Sequence, residues 1–491
     1  MTSCFRSPGS AEMLLLAAAA FIGSQACRPC HAEVAEAYSK TPMARSSGRA
    51  EDVAQASFGA AGHRYAVAGR TLSFEMGSGR AGSASMDYFI GSNAAGRTWL
   101  REFEGYLFEL PVTWYAQKGV WDASPGYERD AWVRLNRAVE PSCLQCHTSQ
   151  VRPVRGTQNR YGEPPFLENG VSCERCHGPG SEHVRDPAAA KMVNPAKLDA
   201  ERREGVCGQC HLTGEARIEK TGRQFAEFQA GMRLADYATY LVWKGGRRDF
   251  KVTSHVEKLA GSRCRTASGD SLSCTTCHEP HSNRNRTQEV CLGCHAAAHR
   301  REENCADCHM PKTKSADANH GVLTDHSIPR LPSQKVVPGG TGELEAFTGL
   351  ADARALGLAY AEMGDRRARA YLERANPVDW QVRLRLAAME PGLVRAAALY
   401  EAVLKERPGE VSALVNLGSI YGQAGRTADA IRLWRRALEA NPAVEEAALN
   451  LSKVLTVQEG AEILRQYLAL NPASPAAQAR VAELAKHSFN R

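Results

Sequence analysis

The chain has 491 residues, of which 43% are hydrophobic and 23% are charged, and its formal net charge is +7. This composition is that of a folded protein with room for two or three domains, and it excludes a disordered chain. The unusual feature of the composition is its 16 cysteines and 15 histidines, and their spacing along the chain is more informative than their number.

Residues 1–26 have the pattern of an export signal. Arg6 precedes an apolar run of ten residues, Met13 to Ile22, which is too short to span a bilayer. Small residues that could precede the cleavage site follow at Gly23, Ser24 and Ala26. Cleavage has to fall before Cys27, so we expect an exported, periplasmic protein, with an N-terminal anchor as the alternative if the signal is not cleaved.

The sequence C-x-x-C-H occurs seven times. The copies are Cys27-Cys30-His31, Cys143-Cys146-His147, Cys173-Cys176-His177, Cys207-Cys210-His211, Cys274-Cys277-His278, Cys291-Cys294-His295 and Cys305-Cys308-His309. A disulfide scaffold, a zinc ribbon or a redox C-x-x-C would not repeat this trailing histidine seven times. Two thiols at this spacing add to the vinyl groups of one porphyrin, and the adjacent histidine reaches the iron as proximal ligand. The sequence therefore predicts seven covalently attached haem c groups.

The predicted haems would offset the positive net charge of the polypeptide. Each haem carries two propionates, so we expect many arginines to pair with propionates rather than with a nucleic acid. Nucleic acid is therefore not an expected partner. Haem c is attached outside the cytoplasmic membrane, which supports a periplasmic location, and we expect contact with a membrane only through the export signal or a partner.

Residues 27–142 are predicted to hold the first haem and a small β-rich subdomain. Tyr106, Phe108, Leu110, Val112 and Trp114 alternate at period two, as in a half-buried strand. Glycine-rich stretches at 77–79 and 91–92 indicate turns.

Residues 143–330 are predicted to form a six-haem domain. The starts of successive motifs are 30, 34, 67, 17 and 14 residues apart, which leaves little chain for independent cores. We therefore expect a mainly α fold with little regular structure, in which stacked haems form the core and the last three lie in contact range. The β-rich part should be a small insertion.

Residues 331–343 are rich in proline and glycine and indicate a linker, and residues 344–491 have a helical repeat pattern. The positions that fit a 34-residue tetratricopeptide unit are Leu417, Gly418, Tyr421, Ala430, Trp434, Ala437 and Pro442, and Pro408 precedes Pro442 by 34 residues. About four helix pairs should stack into a short α-solenoid, and a generic helical bundle is the alternative.

The second axial ligand of each iron has to come from outside the motifs. Excluding His487, which lies far from any motif, seven histidines remain for seven irons, which suggests mostly bis-histidine ligation. The candidate distal ligands are His183, His255, His281, His299, His320, His326 and His63. A single histidine is also often a polar residue that makes hydrogen bonds within the protein and binds no iron. For the first haem, Met43 or an open site is an alternative, and Cys264 is left over as a buried thiol or a sulfur near a haem.

Three stretches carry a family resemblance. They are Gly170 to Gly180 followed by His183, Cys274 to His281, and Cys305 to Lys312. They resemble the multihaem cytochrome superfamily that includes nitrifier tetrahaem cytochromes, hydroxylamine oxidoreductase and the pentahaem nitrite reductase. Fusion to tetratricopeptide repeats resembles a bacterial subgroup. The resemblance implies haems stacked in parallel and perpendicular pairs as an electron wire.

The favoured function is periplasmic electron transfer, with the repeat module docking redox partner proteins. The alternative is a reductase or oxidase of a small nitrogen or sulfur compound at one open haem, of the nitrite or hydroxylamine type. His299 lies where the nitrite reductase has its active-site histidine. All seven motifs end in histidine, however, so no motif marks a catalytic haem, and no catalytic residue is assigned.

Overall fold

The computed structural model describes residues 20–245, 250–296, 304–318, 320–330 and 342–489. After the first motif, helix α1 (Ala32–Ser39) leads into two antiparallel sheets. The larger sheet contains β1 (Ser47–Arg49), β6 (Tyr88–Ile90), β7 (Arg97–Phe103), β8 (Tyr106–Tyr115), β9 (Val120–Ala123) and β10 (Arg137–Ala138). The smaller one contains β2 (Val53–Ala60), β3 (His63–Gly69), β4 (Thr71–Glu75) and β5 (Ala81–Ser85).

Strand β8 is the alternating segment that the sequence indicated. Its side chains are buried on both faces, because Leu107, Phe108, Leu110 and Val112 are all fully inaccessible to solvent. On one edge β8 pairs with β7, and on the other it pairs with β9 and β10. The two sheets share one apolar core, and together they are larger than the small insertion that was expected.

The haem-motif region alternates short helices and hairpins. Its helices are α2 (Pro141–Leu144), α3 (Cys173–His177), α4 (Ser181–Arg185), α5 (Ala200–His211), α6 (His255–Ala260), α7 (Arg263–Ser268), α8 (Cys274–Cys277), α9 (Thr287–Cys294) and α10 (Cys305–His309). Its strands are β11 (Thr148–Pro153), β12 (Tyr161–Asn169), β13 (Ala216–Glu219), β14 (Ala238–Trp243), β15 (Lys312–Lys314) and β16 (Val322–Thr324).

The prediction of a mainly α fold with little regular structure around the haems is wrong. The described residues contain seventeen strands in five antiparallel sheets, and three of these sheets include strands of the haem-motif region. The longer intervals between motifs explain the difference. The interval before Cys173 holds the β11–β12 hairpin, and the one before Cys274 holds β13 and β14, with a core around Leu241 and Tyr240.

The C-terminal part begins with β17 (Leu344–Thr348), which pairs with β14 of the haem-motif region. Most of the predicted linker lies outside the described residues. The helices that follow are α11 (Ala353–Glu362), α12 (Ala368–Leu372), α13 (Trp380–Met389), α14 (Leu393–Glu406), α15 (Val411–Gln423), α16 (Thr427–Ala440), α17 (Glu445–Val454), α18 (Val457–Leu470) and α19 (Pro475–Phe489).

Each of these helices packs on the next one along the chain. Helix α16 is amphipathic and buries Ala430, Leu433, Trp434 and Ala437. A Cβ atom at Gly418 on α15 would lie 2.6 Å from the indole nitrogen of Trp434, so this close approach of two helices needs glycine.

Two Asn-Pro turns attach the helices to the sheets. The Asn471 Oδ1 atom accepts a buried hydrogen bond of 3.0 Å from the Leu135 backbone amide, and Asn441 Nδ2 donates to Gln158 Oε1 at 2.9 Å. The Tyr106 hydroxyl donates to the Glu439 carbonyl at 2.6 Å. Among the described residues, no helix is both long and apolar enough to cross a membrane.

Candidate haem core

The haem-attachment motifs lie on turns of helix. In α3 and α10 the whole motif is helical, and in α5 and α9 it forms the last turn. Residues three and four apart share one face of a helix, so the two cysteines and the histidine of a motif point to the same side. This local geometry is what attachment of one porphyrin by two thioethers and one iron–histidine bond requires.

Three proximal histidines each face a candidate distal histidine at a similar distance. Ring centroids are 6.5 Å apart for His31 and His183, 5.9 Å for His177 and His281, and 6.1 Å for His278 and His326. Imidazoles on opposite sides of one iron have centroids roughly 6 Å apart, because each metal–nitrogen bond is about 2.0 Å long. The spacing of these three pairs therefore fits one iron between two rings.

Hydrogen bonds fix the orientation of several of these rings. The Nδ1 atoms of His177, His183, His309 and His326 lie 2.7, 2.7, 3.0 and 2.9 Å from the backbone carbonyl oxygens of Val193, Ala190, Pro329 and Thr324. A ring that donates from Nδ1 keeps the Nε2 lone pair for a metal, and metal-binding histidines almost always have such a partner. The residues present therefore fit the iron of a haem.

Four histidines meet at the centre of the region, two of them proximal histidines of the motifs and two of them candidate distal ligands. The His255 ring lies 5.1 Å from His211 and 4.7 Å from His326, which itself faces His278. Burial, with a further contribution from His211, His326 and His278, lowers the pKa of His255 to about 3. Burial also lowers the pKa of His211 and of His278. These rings are thus neutral, which is the form that binds iron.

The attachment sites are also contiguous. Four pairs of thiols from different motifs are in hydrogen-bond contact: Cys27 with Cys173, Cys146 with Cys210, Cys207 with Cys274, and Cys291 with Cys305. Cys277 interacts with Cys291, which joins the fifth motif to the sixth, and Cys207 interacts with Cys176, which joins the third motif to the fourth. The motifs therefore form one series in the order first, third, fourth, fifth, sixth and seventh, with the second beside the fourth.

Solvent exposure changes along this series. Exposed cysteines lie at the first motif (Cys30), the second (Cys143), the sixth (Cys294) and the seventh (Cys308). The fourth motif is packed most deeply, since Val206, Gly208 and Gln209 around it are buried. The third, fourth and fifth motifs are thus covered, whereas both ends of the series and the second motif are accessible.

Two of the candidate distal histidines lie away from the described proximal rings. The His320 Nε2 atom is 2.6 Å from Asp122 Oδ2, and the His63 Nε2 atom is 3.3 Å from the Asp130 carbonyl oxygen. In both residues the nitrogen that would bind iron contacts a protein oxygen. His299 lies outside the described residues.

Three other residues have placements that the sequence left open. The Nδ1 atom of His147 is buried without a hydrogen-bond partner in the described part of the chain. The structure puts His183, and not Met43, opposite His31. Cys264 is half-buried on α7 and interacts with Cys277 and Cys291. Sequence reasoning missed the carbonyl partners of the histidines, because backbone acceptors leave no sequence pattern.

Comparison with known proteins gives partial matches. A family model described as cytochrome c554 and c-prime matches residues 124–178, which contain the second and third motifs. The chain is 22% identical over 174 residues to multiheme cytochrome MtrA of Shewanella baltica (strain OS185), a match that covers 32% of this chain and 52% of the relative. The chain thus spans about half the length of this curated relative.

Solved structures give weaker similarities. The outer cell wall cytochrome OcwA matches with a TM-score of 0.42 at 15% identity, over 86% of this chain and 99% of that chain. A tetratricopeptide repeat protein from Parabacteroides merdae ATCC 43184 matches with a TM-score of 0.25 at 21% identity, over 28% of this chain and 59% of that chain.

The attachment motifs and the sequence matches agree, because both are typical of proteins that bind several haem c groups covalently. The chain is thus similar to multihaem c-type cytochromes.

Proposed function

We propose that the protein is a periplasmic electron carrier with seven covalently attached haems, most of them held between two histidines. The observation that carries this proposal is the set of three proximal and distal ring pairs spaced 5.9 to 6.5 Å apart. Haem c supplies an iron that takes up and releases one electron. The residues of this chain would hold these rings in place on either side of an iron, and two histidine ligands favour electron transfer over substrate binding.

The accessible ends of the motif series support exchange with redox partner proteins. The helices of residues 353–489, which we assign to tetratricopeptide repeats, would dock such a partner. Their Asn-Pro turns already contact the sheets, so the free surface is elsewhere, and Leu393 and Val394 at the start of α14 are 51% and 86% exposed. Replacing both by serine should slow reduction by a periplasmic fraction but leave reduction by dithionite unchanged. Equal slowing with both reductants would contradict docking at α14.

The ligation proposal is tested by electron paramagnetic resonance of the oxidised holoprotein. His281→Ala removes the ring opposite His177, so one low-spin haem should become high-spin and should bind cyanide. His63→Ala is the matched control and should leave the spectrum unchanged. An unchanged spectrum in His281→Ala would overturn the assignment of this pair, whereas a protein without bound haem would overturn the whole function.

The alternative function is a reductase or oxidase of a small nitrogen or sulfur compound. One observation favours it, since no candidate distal histidine among the described residues is in ring contact with His147, and the same is true of His295 and His309. An open haem at the His147 motif would give a high-spin signal in the unmodified holoprotein, and added nitrite or hydroxylamine would change that signal. A fully low-spin spectrum that neither compound alters would exclude this function.

A further inference from the structure

The segment from Ala20 to Ser24 is packed into the haem-motif region, although the sequence analysis assigned it to the export signal. The Ile22 and Gly23 amides donate to the Glu174 carboxylate at 3.0 and 2.8 Å. The Ser24 amide donates to Glu168 Oε2 at 2.8 Å, and the Ser24 hydroxyl accepts from the Cys173 amide at 3.1 Å. We call residues 20–24 the N-terminal strap.

The Glu174 carboxylate obtains most of its hydrogen-bond donors from this strap. Glu174 lies in the sequence between the haem-attaching Cys173 and Cys176, and the residue is 2% exposed. Three backbone amides donate to its carboxylate, those of Ile22, Gly23 and Gly180. Without the strap only the Gly180 amide would remain, and a buried carboxylate that loses hydrogen-bond donors is costly.

The strap also fits its place sterically. A Cβ atom on Gly180 would lie 3.3 Å from the Ile22 side chain, so Ile22 packs where glycine leaves room. Gly23 has a φ of 84°, which favours glycine and turns the chain toward the first motif. Ala20 and Ser181 are joined by two hydrogen bonds, one in each direction.

We propose that the N-terminal strap stays in the mature protein and that export processing falls within the alanine run Ala17 to Ala20, not after Ala26. This inference rests on the export that is part of the proposed function. Both positions offer two small residues with one residue between them, Ala17 with Ala19 and Ser24 with Ala26, so the sequence alone does not choose between them. The hydrogen bonds from the Ile22 and Gly23 amides to Glu174 favour cleavage in the alanine run, because cleavage after Ala26 would remove both amides.

The strap also connects two haem-attachment sites. It begins beside Ser181, crosses Glu174 and leads into Cys27, whose thiol contacts Cys173. It therefore fixes the first attachment site against the third, at the accessible end of the series.

Intact-mass measurement and N-terminal sequencing of the purified holoprotein test the processing site. The expected first residue is Ala20. A first residue at Gly23 or later would overturn the proposal, and an intact Met1 would overturn the proposed cleavage position. The same mass reports the number of attached haems separately, so failure of the proposed function is distinguishable from failure of this inference.

Hydrogen exchange of the holoprotein tests the contacts. The amides of Ile22 and Gly23 should be protected, and Glu174→Gln should speed their exchange at least about tenfold. Glu163→Gln is the matched control, because Glu163 is exposed and pairs with Arg49 instead. If Glu174→Gln fails to accumulate, Gly23→Ala should speed the same exchange through backbone strain. Unprotected amides in the unmodified protein would overturn the strap.

Discussion

The C-terminal helices and the segment around the last three haem motifs differ in what fills their cores. The helices bury many apolar side chains, among them Leu414, Leu451 and Leu464 with no exposed surface. In the described residues between 250 and 330, only Phe250 and Leu323 are buried apolar side chains. The first region can therefore hold its fold with its own residues, whereas the second has cysteines and histidines where a core would be.

The largest expected effect follows directly from this contrast. Protein made without haem attachment should be cleaved by trypsin in residues 250–330 at least about ten times faster than in residues 380–489. Mass spectrometry of the fragments would measure both rates. In the holoprotein the difference should shrink, because attached haems replace the missing core. Equal cleavage rates in the haem-free protein would contradict the comparison.

A second prediction concerns the junction of the C-terminal helices with strand β13 of the haem-motif region. Arg354 on α11 is buried, forms an ion pair of 2.6 Å with Asp379, and donates to the Glu219 carbonyl of β13 at 2.8 Å. Arg354→Ala leaves the Asp379 charge buried without its partner and should lower the free energy of unfolding by about 3–5 kcal/mol, measured by urea denaturation.

The control for this junction is Arg395→Ala. Arg395 is 79% exposed and 3.8 Å from Glu390, so its loss should cost less than about 0.5 kcal/mol. Equal effects of the two variants would show that the junction does not stabilise the helices.

A smaller effect is expected at the Asn-Pro turn of Asn471. Asn471→Ala leaves the buried Leu135 amide without an acceptor, and the free energy of unfolding should fall by about 1–3 kcal/mol. Asn450→Ala, which removes a 3.4 Å contact with Ser419 and an exposed 3.4 Å contact with Lys453, should change it by less than about 0.5 kcal/mol. A neutral Asn471→Ala would mean that the helices and the sheets are not coupled through this turn.

The smallest predicted effect is a pH dependence within the sheets. Burial raises the pKa of Glu109 from 4.5 to about 7, and Arg137 opposes this only partly. The folded protein thus keeps a proton that the unfolded chain loses, so this contribution to stability is complete below pH 4.5 and is lost as the pH rises through 7.

Thermal unfolding across this pH range provides the measurement. Glu109→Gln should flatten the fall in stability between pH 4.5 and 7. Glu75→Gln, at an exposed pair with Arg64, should leave the fall unchanged. A fall that persists in Glu109→Gln would assign it to another group.

The sequence by itself determined the cofactor chemistry, because two cysteines and a histidine on one helical turn are a local pattern that carries its own geometry. The strand at 106–115 and the helices after 353 were also readable, since their periodicity is local. The sheets around the haem motifs were missed, because strand pairing joins distant segments such as β14 and β17.

Only the tertiary structure decided which histidine faces which. His183 faces His31 and His281 faces His177, and these pairs join residues far apart in the chain. It also assigned residues 20–24 to the fold, because the carboxylate of Glu174 sits about 150 residues away from the amides that hold it. Contacts at such distances depend on how the whole chain packs, and no local pattern records them.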